Sequence, residues 1–399
     1  MSIVVQKYGG SSVADVDRLR SVADRVMRTR RLGHDVVVVV SAMGDTTDDL
    51  LALARTISLN PDRRELDMLL TAGERIAMAL LSIAIRERGG DSISFTGSQS
   101  GIITNDRHSD ARIIEVRPFR VQDELARGKI VVIAGYQGMS YRREVTTLGR
   151  GGSDTTAVAM AAALGADYCE ICSDVDGVYT ADPRVVPAAQ RIPALSYEET
   201  QELAELGARV LNAQAVEFAK DKDIAIYARA TASPLPGGDP SADGTVVRKH
   251  PPRMPGTVAG VASEKDVLLI DGSIRLLELL DEHRVAAKQL HVNDQRANLV
   301  VSKENLHGES RLRKAIEDEL GADARIRDEL GAVSVVGAGI NASFANVRNG
   351  TRALAAAHIT PSQLATSSFR ITWMVDRGRL DEAVQLLHRT FIERTEPVP

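Results

Sequence analysis

The sequence is poor in several things, and each shortage excludes a class of protein. Only two cysteines occur in 399 residues, which rules out a disulfide framework and fits a reducing compartment. They stand as Cys169-Glu-Ile-Cys172 inside a β-like run, where residues three apart point to opposite faces. Core packing is therefore the leading reading, because no second pair is present to complete a zinc site. Basic excess is also missing: 49 Lys and Arg stand against 54 Asp and Glu, a net charge of −5. Nothing there would neutralise a nucleic-acid backbone. No uninterrupted apolar run reaches the roughly 20 residues of a membrane span. The start, Met1-Ser-Ile-Val-Val-Gln-Lys7, lacks the charged and long apolar regions of a signal peptide. The expectation is a cytoplasmic protein with neither nucleic acid nor membrane as partner.

What remains is ordinary globular composition, 44% hydrophobic and 26% charged. At roughly 150 residues per domain, the length suggests two or three domains. From residue 1 to about 230, β-branched runs alternate with Ala/Leu-rich helical stretches. Strands are expected at Ile3–Val5, Val36–Val40, Ile130–Ala134 and Tyr168–Cys172, and helices at Val13–Met27, Thr71–Arg88 and Thr155–Leu164. Five consecutive valines leave no polar face, so Val36–Val40 reads as a strand buried on both sides. This alternation predicts an α/β layer fold with a mainly parallel sheet.

The pattern breaks into turn residues from Ala232 to Gly244, with Pro251-Pro252 and Pro255-Gly256 close behind. A large α/β domain is thus expected over 1–248, followed by two βαββαβ-like α+β modules over 256–328 and 329–399. Within the first module a single strand is expected from Val258 to Ile270.

Chemistry-bearing residues gather at strand-to-helix junctions. Lys7-Tyr-Gly-Gly-Ser-Ser12 follows the first strand; small residues there let backbone N–H groups approach an anion, and Lys7 adds a full charge. Walker A places its lysine after the glycines, whereas Lys7 precedes them, so this is a different cradle or simply a tight turn. Thr146-Thr-Leu-Gly-Arg-Gly-Gly-Ser-Asp-Thr-Thr156 runs into an alanine-rich helix. Arg150 offers a planar fork for carboxylate or phosphate, while Ser153 and Asp154 are also good N-cap residues. Ser173-Asp-Val-Asp-Gly-Val-Tyr-Thr-Ala-Asp-Pro-Arg184 follows the cysteine strand; turn chemistry would explain its aspartates, and it is no complete EF-hand. Ser41-Ala-Met-Gly-Asp-Thr-Thr47 follows the valine strand. Glu74 sits at the expected start of a helix, where the helix dipole alone would favour a carboxylate. Ligands of open α/β sheets bind outside the carboxyl ends of the strands, and phosphate transfer is the natural reading of such a crevice.

Together these segments resemble the aspartate kinases of the amino acid kinase family, over nearly all of the first 230 residues and in family order. The matching text also includes Thr104-Asn-Asp-Arg-His108 and Ala134-Gly-Tyr-Gln-Gly138, and the 146–156 run separates aspartate kinases from related kinases. The resemblance implies an αβα sandwich followed by two ACT domains, and phosphoryl transfer from ATP with Mg²⁺ to the β-carboxylate of L-aspartate. It assigns Lys7 to the transferring phosphoryl group and Asp154 to orienting the catalytic centre. Gly9, Gly10, Ser11 and Ser12 would cradle phosphates, with Lys7, Tyr8, Ser173, Asp174, Tyr179, Asp182, Arg184 and Arg209 also at the ATP site. Ser41, Thr47, Glu74, Arg150, Gly151, Gly152 and Ser153 would hold the amino acid, Glu74 on its ammonium and Arg150 on a carboxylate. No metal-binding side chain is assigned.

The chain departs from the family in places. Arg209 stands where a lysine is usual, and Asn212-Ala-Gln214 replaces His-Pro-Arg. In the ACT region, Leu268–Arg275 lacks the Asp-x-Pro-Gly effector loop, and Asn341-Ala-Ser-Phe-Ala345 replaces a second Pro-Gly. The modules are expected to fold and to pair across subunits, giving a homo-oligomer with weak or altered lysine or threonine feedback. The competing readings are a specialised paralogue acting in a secondary pathway on aspartate or a related amino dicarboxylate, and a non-catalytic regulatory subunit.

Overall fold

The computed structural model describes residues 2–149, 151–207, 211–233, 243–251, 253–303, 306 and 308–393. They fall into two compact units, one within 1–178, 191–205 and 209–252, the other within 179–190, 206–208 and 253–399.

The first unit opens with β1 (Ile3–Tyr8), α1 (Val16–Arg31), β2 (Asp35–Val40), α2 (Thr46–Ile57), α3 (Arg63–Glu87) and β3 (Ser92–Phe95). There follow β4 (Ile102–Thr104), β5 (Ile113–Val116), α4 (Phe119–Ala126), β6 (Ile130–Ala134), β7 (Gln137–Ser140) and β8 (Val145–Thr147). Then come α5 (Gly152–Leu164), β9 (Tyr168–Ser173), β10 (Ala194–Leu195), α6 (Tyr197–Glu205), α7 (Ala213–Lys222), β11 (Ala225–Ala230) and β12 (Gly244–Val247). The main sheet has the order β10-β12-β11-β9-β1-β2-β6-β3. It is parallel from β11 to β3, with β12 antiparallel beside β11. A smaller sheet runs β5-β4-β7-β8.

The five valines of β2 are wholly buried, and alternation divides them between two cores. Val36, Val38 and Val40 pack with Val22 and Val26 of α1 and Leu81 and Ile85 of α3. Val37 and Val39 pack with Ala157, Val158 and Ala161 of α5. Helices thus cover both faces of the sheet in an αβα sandwich. Cys169 and Cys172 fall in opposite cores; burial pushes the Cys172 thiol up to about 12 and Cys169 well above its usual value, which suits packing and not redox work.

Helix α3 begins eight residues earlier than its apolar pattern suggests. Asp62 caps it, accepting from Arg64 N and Glu65 N, and an arginine-rich first turn hides that start. At 25 residues it is long and apolar enough to cross a membrane by composition, although no single uninterrupted run is. Its buried Asp67 and Glu74, and its packing against the sheet, are those of a core helix.

The second unit contains β13 (Gly260–Glu264), β14 (Val267–Ser273), α8 (Leu276–Glu282), β15 (Gln289–Asn293), β16 (Arg296–Ser302), α9 (Glu309–Leu320) and β17 (Arg325–Arg327). It continues with β18 (Leu330–Val336), α10 (Ala345–Ala356), β19 (Gln363–Thr366), β20 (Arg370–Asp376) and α11 (Leu380–His388). Its sheets are β15-β16-β14-β17 and β13-β18-β20-β19. The strand expected over Val258–Ile270 breaks at Lys265-Asp266, and β13 pairs with β18 rather than joining the sheet of β14. One module is therefore inserted between the first two strands of the other.

Candidate active site

The turns that follow β9, β1 and β2 lie side by side, because those strands are neighbours in the sheet. Lys7 is the penultimate residue of β1 and shares its register with Val39 and Ile171. Alternation sends its side chain toward α5, where Nζ lies 2.7 Å from Asp154 Oδ1 with both side chains nearly buried. Helix α5 starts from Gly151, a left-handed residue at φ +73° that makes no side-chain cap. Ser153 and Asp154 are consequently first-turn residues and not caps, and the capping explanation for them fails.

The glycine turn is fastened on both sides. Gly9 N donates to Cys172 O at 3.2 Å, and Gly44 N donates to Gly10 O at 3.1 Å. A Cβ on Gly10 would stand 3.0 Å from the carbonyl oxygens of Ala42 and Gly44, so only glycine fits without moving backbone. Ser11 and Ser12 lie in a short 3₁₀ turn that follows. Ser12 Oγ is 2.6 Å from Thr231 Oγ1, whose hydroxyl also donates to Ser173 O at 3.0 Å.

Tyr8 is a correction to the sequence reading. It follows Lys7 and so faces the opposite side of the sheet, where its ring is wholly buried among core residues and its hydroxyl donates to Gln6 Oε1 at 3.3 Å. Burial raises the phenol well above its usual pKa. Its side chain cannot meet a nucleotide in the cradle.

Glu74 lies about three turns inside α3, so the dipole explanation also fails. Its side chain is buried, and Oε1 accepts from Ala42 N at 3.2 Å while Oε2 has no hydrogen-bond partner among the described residues. Desolvation pushes its pKa up to about 7 against the lowering effect of the backbone donors. A buried carboxylate oxygen without a donor is costly and suits an incoming cation. Ser41 leaves β2 with its N–H on Tyr8 O, and Thr47 stands in the first turn of α2.

Gly152 packs tightly: a Cβ there would lie 2.7 Å from Leu148 Cβ, and one on Gly135 would lie 2.8 Å from Ser153 Oγ. Ser173 ends β9 and accepts from Val175 N at 3.2 Å, with Asp174 exposed beside it. Tyr179, Asp182 and Arg184 fall in the second unit, where Arg184 Nη2 and Asp182 Oδ2 form an exposed ion pair at 2.6 Å. Arg150 and Arg209 lie outside the described residues.

The sequence reading missed the parts that brace the site. Thr231 ties the glycine turn to β9. Asn212 caps α7 and accepts from Thr155 Oγ1 of α5 at 3.2 Å. Asp67 accepts from Thr147 and contacts His108. Asp67 lies ahead of Thr71, where the apolar pattern begins, so the sequence offered no helical face on which to place it.

A polyphosphate fits this arrangement: backbone N–H groups at a glycine turn, a lysine, and a helix N-terminus meet at the strand ends. Among the described residues no group of three or more His, Cys, Asp or Glu could hold a metal. Mg²⁺ would therefore be carried largely by the phosphates of its nucleotide, as is usual for this ion.

The amino acid kinase family model matches residues 2–228. The aspartokinase of Mycolicibacterium smegmatis is 43% identical over 416 aligned positions, covering 98% of this chain and 96% of that protein. The aspartokinase of Corynebacterium glutamicum is 42% identical with the same coverage. Among solved structures, E. coli aspartokinase III in complex with aspartate and ADP is similar with a TM-score of 0.85 and 25% identity, covering 97% of this chain and 99% of that one. On the family match and on full-length relatives above two-fifths identity, the chain belongs to the aspartokinases of the amino acid kinase family.

Proposed function

We propose that this chain transfers the γ-phosphoryl group of ATP to the β-carboxylate of L-aspartate, with the donor held at Lys7 and Gly9–Ser12 and the acceptor between Glu74 and Arg150. The observation that carries this reading is the double attachment of the 41–44 turn. Its Gly44 N–H holds the glycine cradle through Gly10 O, and its Ala42 N–H holds Glu74. One rigid turn thus sets the spacing between a phosphate cradle and a buried carboxylate in want of a cation.

The chemistry asks little beyond placement and charge. A carboxylate nucleophile has an ordinary pKa near 3.9 and is already ionised at neutral pH, so no general base is needed. A β-carboxylate oxygen forms the new bond to the γ-phosphorus as the bond to the β–γ bridging oxygen breaks, leaving ADP and 4-phospho-L-aspartate. Repulsion between two anions is the barrier that Lys7, the cradle amides and the α5 N-terminus would lower. Mg²⁺, carried with the nucleotide, supplies further neutralisation of phosphate charge. Asp154 would hold Lys7 in place. Glu74 would take the substrate ammonium, Arg150 a carboxylate, and Ser41, Thr47, Gly151, Gly152 and Ser153 would line the acceptor side.

Regulation by lysine or threonine is proposed to be weak or altered. In the second unit the effector-loop positions are occupied by internal bonds: Asp271 is ion-paired with Arg296, and Asn341 Nδ2 donates to Ser367 O and to Arg370 O. Exposed edge strands β15 and β19 support pairing of subunits through these modules.

A direct test compares L-aspartate with succinate, which lacks the ammonium. The native protein should prefer aspartate strongly, and Glu74→Gln should narrow that preference by about tenfold or more. An unchanged preference in Glu74→Gln would remove Glu74 from the acceptor site.

A further inference from the structure

Asp67 is a wholly buried carboxylate, and burying one without partners would be prohibitive. Its partners come from two other elements. Oδ2 is 2.6 Å from His108 Nδ1, Oδ1 accepts from Thr147 Oγ1 at 2.6 Å, and Ser109 N donates to both oxygens at 3.1 and 3.3 Å. Burial raises the Asp67 pKa, while Thr147, His108 and Ser109 oppose that by favouring the charged form.

These elements surround the acceptor side. Thr147 ends β8 and leads through Gly149, at φ +73°, into Gly151 and α5. The His108 segment lies against that same turn: Ala111 N donates to Thr147 O at 2.8 Å, and a Cβ on Gly149 would stand 3.0 Å from Asp110 Oδ1. Ser109 holds φ +68°, a left-handed conformation that costs a serine about 1 kcal/mol or more and that its bond to Asp67 helps to maintain. On α3, Asp67 and Glu74 are seven residues apart, two turns along one face. One face of α3 therefore presents both the carboxylate in want of a cation and the carboxylate that anchors Thr147 at the end of β8.

We infer that Asp67, bonded to His108 and Thr147, is a positioning residue for aspartate: it fixes Glu74 on α3 relative to the turn at Thr147–Gly149 ahead of α5. The amino and carboxylate ends of one small substrate are held by different elements, and Asp67 is the buried side chain that bonds helix, loop and strand together. Loss of either donor lets the turn move relative to Glu74, which weakens aspartate binding while the ATP cradle, fastened separately through Cys172, Thr231 and Gly44, is unaffected. The inference rests on the placement of aspartate at Glu74 and Arg150.

Histidine chemistry gives a discriminating test. His108→Asn retains a donor where Nδ1 stands, whereas His108→Gln moves the donor outward to the Nε2 position. Thr147→Ser keeps the hydroxyl and Thr147→Val removes it. The expected result is an aspartate KM raised about tenfold or more in His108→Gln and Thr147→Val, with ATP KM within about twofold of native. His108→Asn and Thr147→Ser should restore native aspartate KM. Equal defects in His108→Asn and His108→Gln, or aspartate and ATP KM rising together, would overturn the inference. Glu74→Gln is measured alongside. If it raises aspartate KM and His108→Gln does not, the positioning role alone is wrong; if Glu74→Gln leaves aspartate KM unmoved, the acceptor placement and the inference both fall.

Discussion

Lys7 Nζ and Asp154 Oδ1 meet at 2.7 Å between the end of β1 and the first turn of α5. The pair joins the central strand of the parallel sheet to the helix whose N-terminus adds positive potential at the same place. A lysine held this way cannot swing freely, which is what stabilising a moving phosphoryl group requires.

Lys7→Ala should therefore act on the transition state. Removal of such a group costs about 10²–10³-fold in kcat, with modest changes in either KM. Steady-state kinetics with both substrates varied will check this. A large KM increase with kcat unchanged would mean that Lys7 only binds the nucleotide.

Glu74 predicts a pH dependence with a defined sign. Its pKa in the folded protein is about 7 against an ordinary 4.5, so the folded state holds more protons than the unfolded state between those values. Stability is then lost as pH rises through that window, by at most about 3 kcal/mol. Glu74→Gln should melt higher than native protein at pH 8 and equal it near pH 4.5. Because the substrate ammonium favours ionised Glu74, aspartate KM should fall about tenfold from pH 6 to 8 and stay flat in Glu74→Gln.

The two cradle glycines should differ sharply. A Cβ on Gly9 meets Lys7 Nζ at an ordinary 3.5 Å, while one on Gly10 meets two backbone carbonyls at 3.0 Å. Gly10→Ala should raise ATP KM by about tenfold, and Gly9→Ala should stay near native. Equal behaviour of the two variants would show that the turn is not held against Ala42 and Gly44.

The catalytic strand ends were legible because their signals are local. Lys7, the glycines and Asp154 announce themselves by residue type within a dozen positions, and the valine run declares a doubly buried strand. Long-range bracing was not legible: Asp67 finds His108 and Thr147 across 41 and 80 residues, and no pattern along the chain records that. The start of α3 could have been found, since Asp62 followed by Glu65 is an N-terminal capping signature. The pairing of β13 with β18 could not, because strand partners are set by topology and both strands carry the same apolar alternation. Tyr8 was misplaced by treating a motif as a unit when strand alternation sends its neighbours to opposite faces.

Lysine and threonine together should leave the activity unchanged if Asp271 and Asn341 are committed to their internal partners. Cooperative inhibition at sub-millimolar effector would show that the second unit still binds a regulatory amino acid despite those bonds.

The most direct measurement traps the product. Incubation with L-aspartate, ATP, Mg²⁺ and hydroxylamine should yield aspartyl hydroxamate in proportion to ADP formed, and Lys7→Ala should abolish nearly all of it. Absence of hydroxamate from native protein, beside a working control enzyme, would contradict phosphoryl transfer to the aspartate carboxylate.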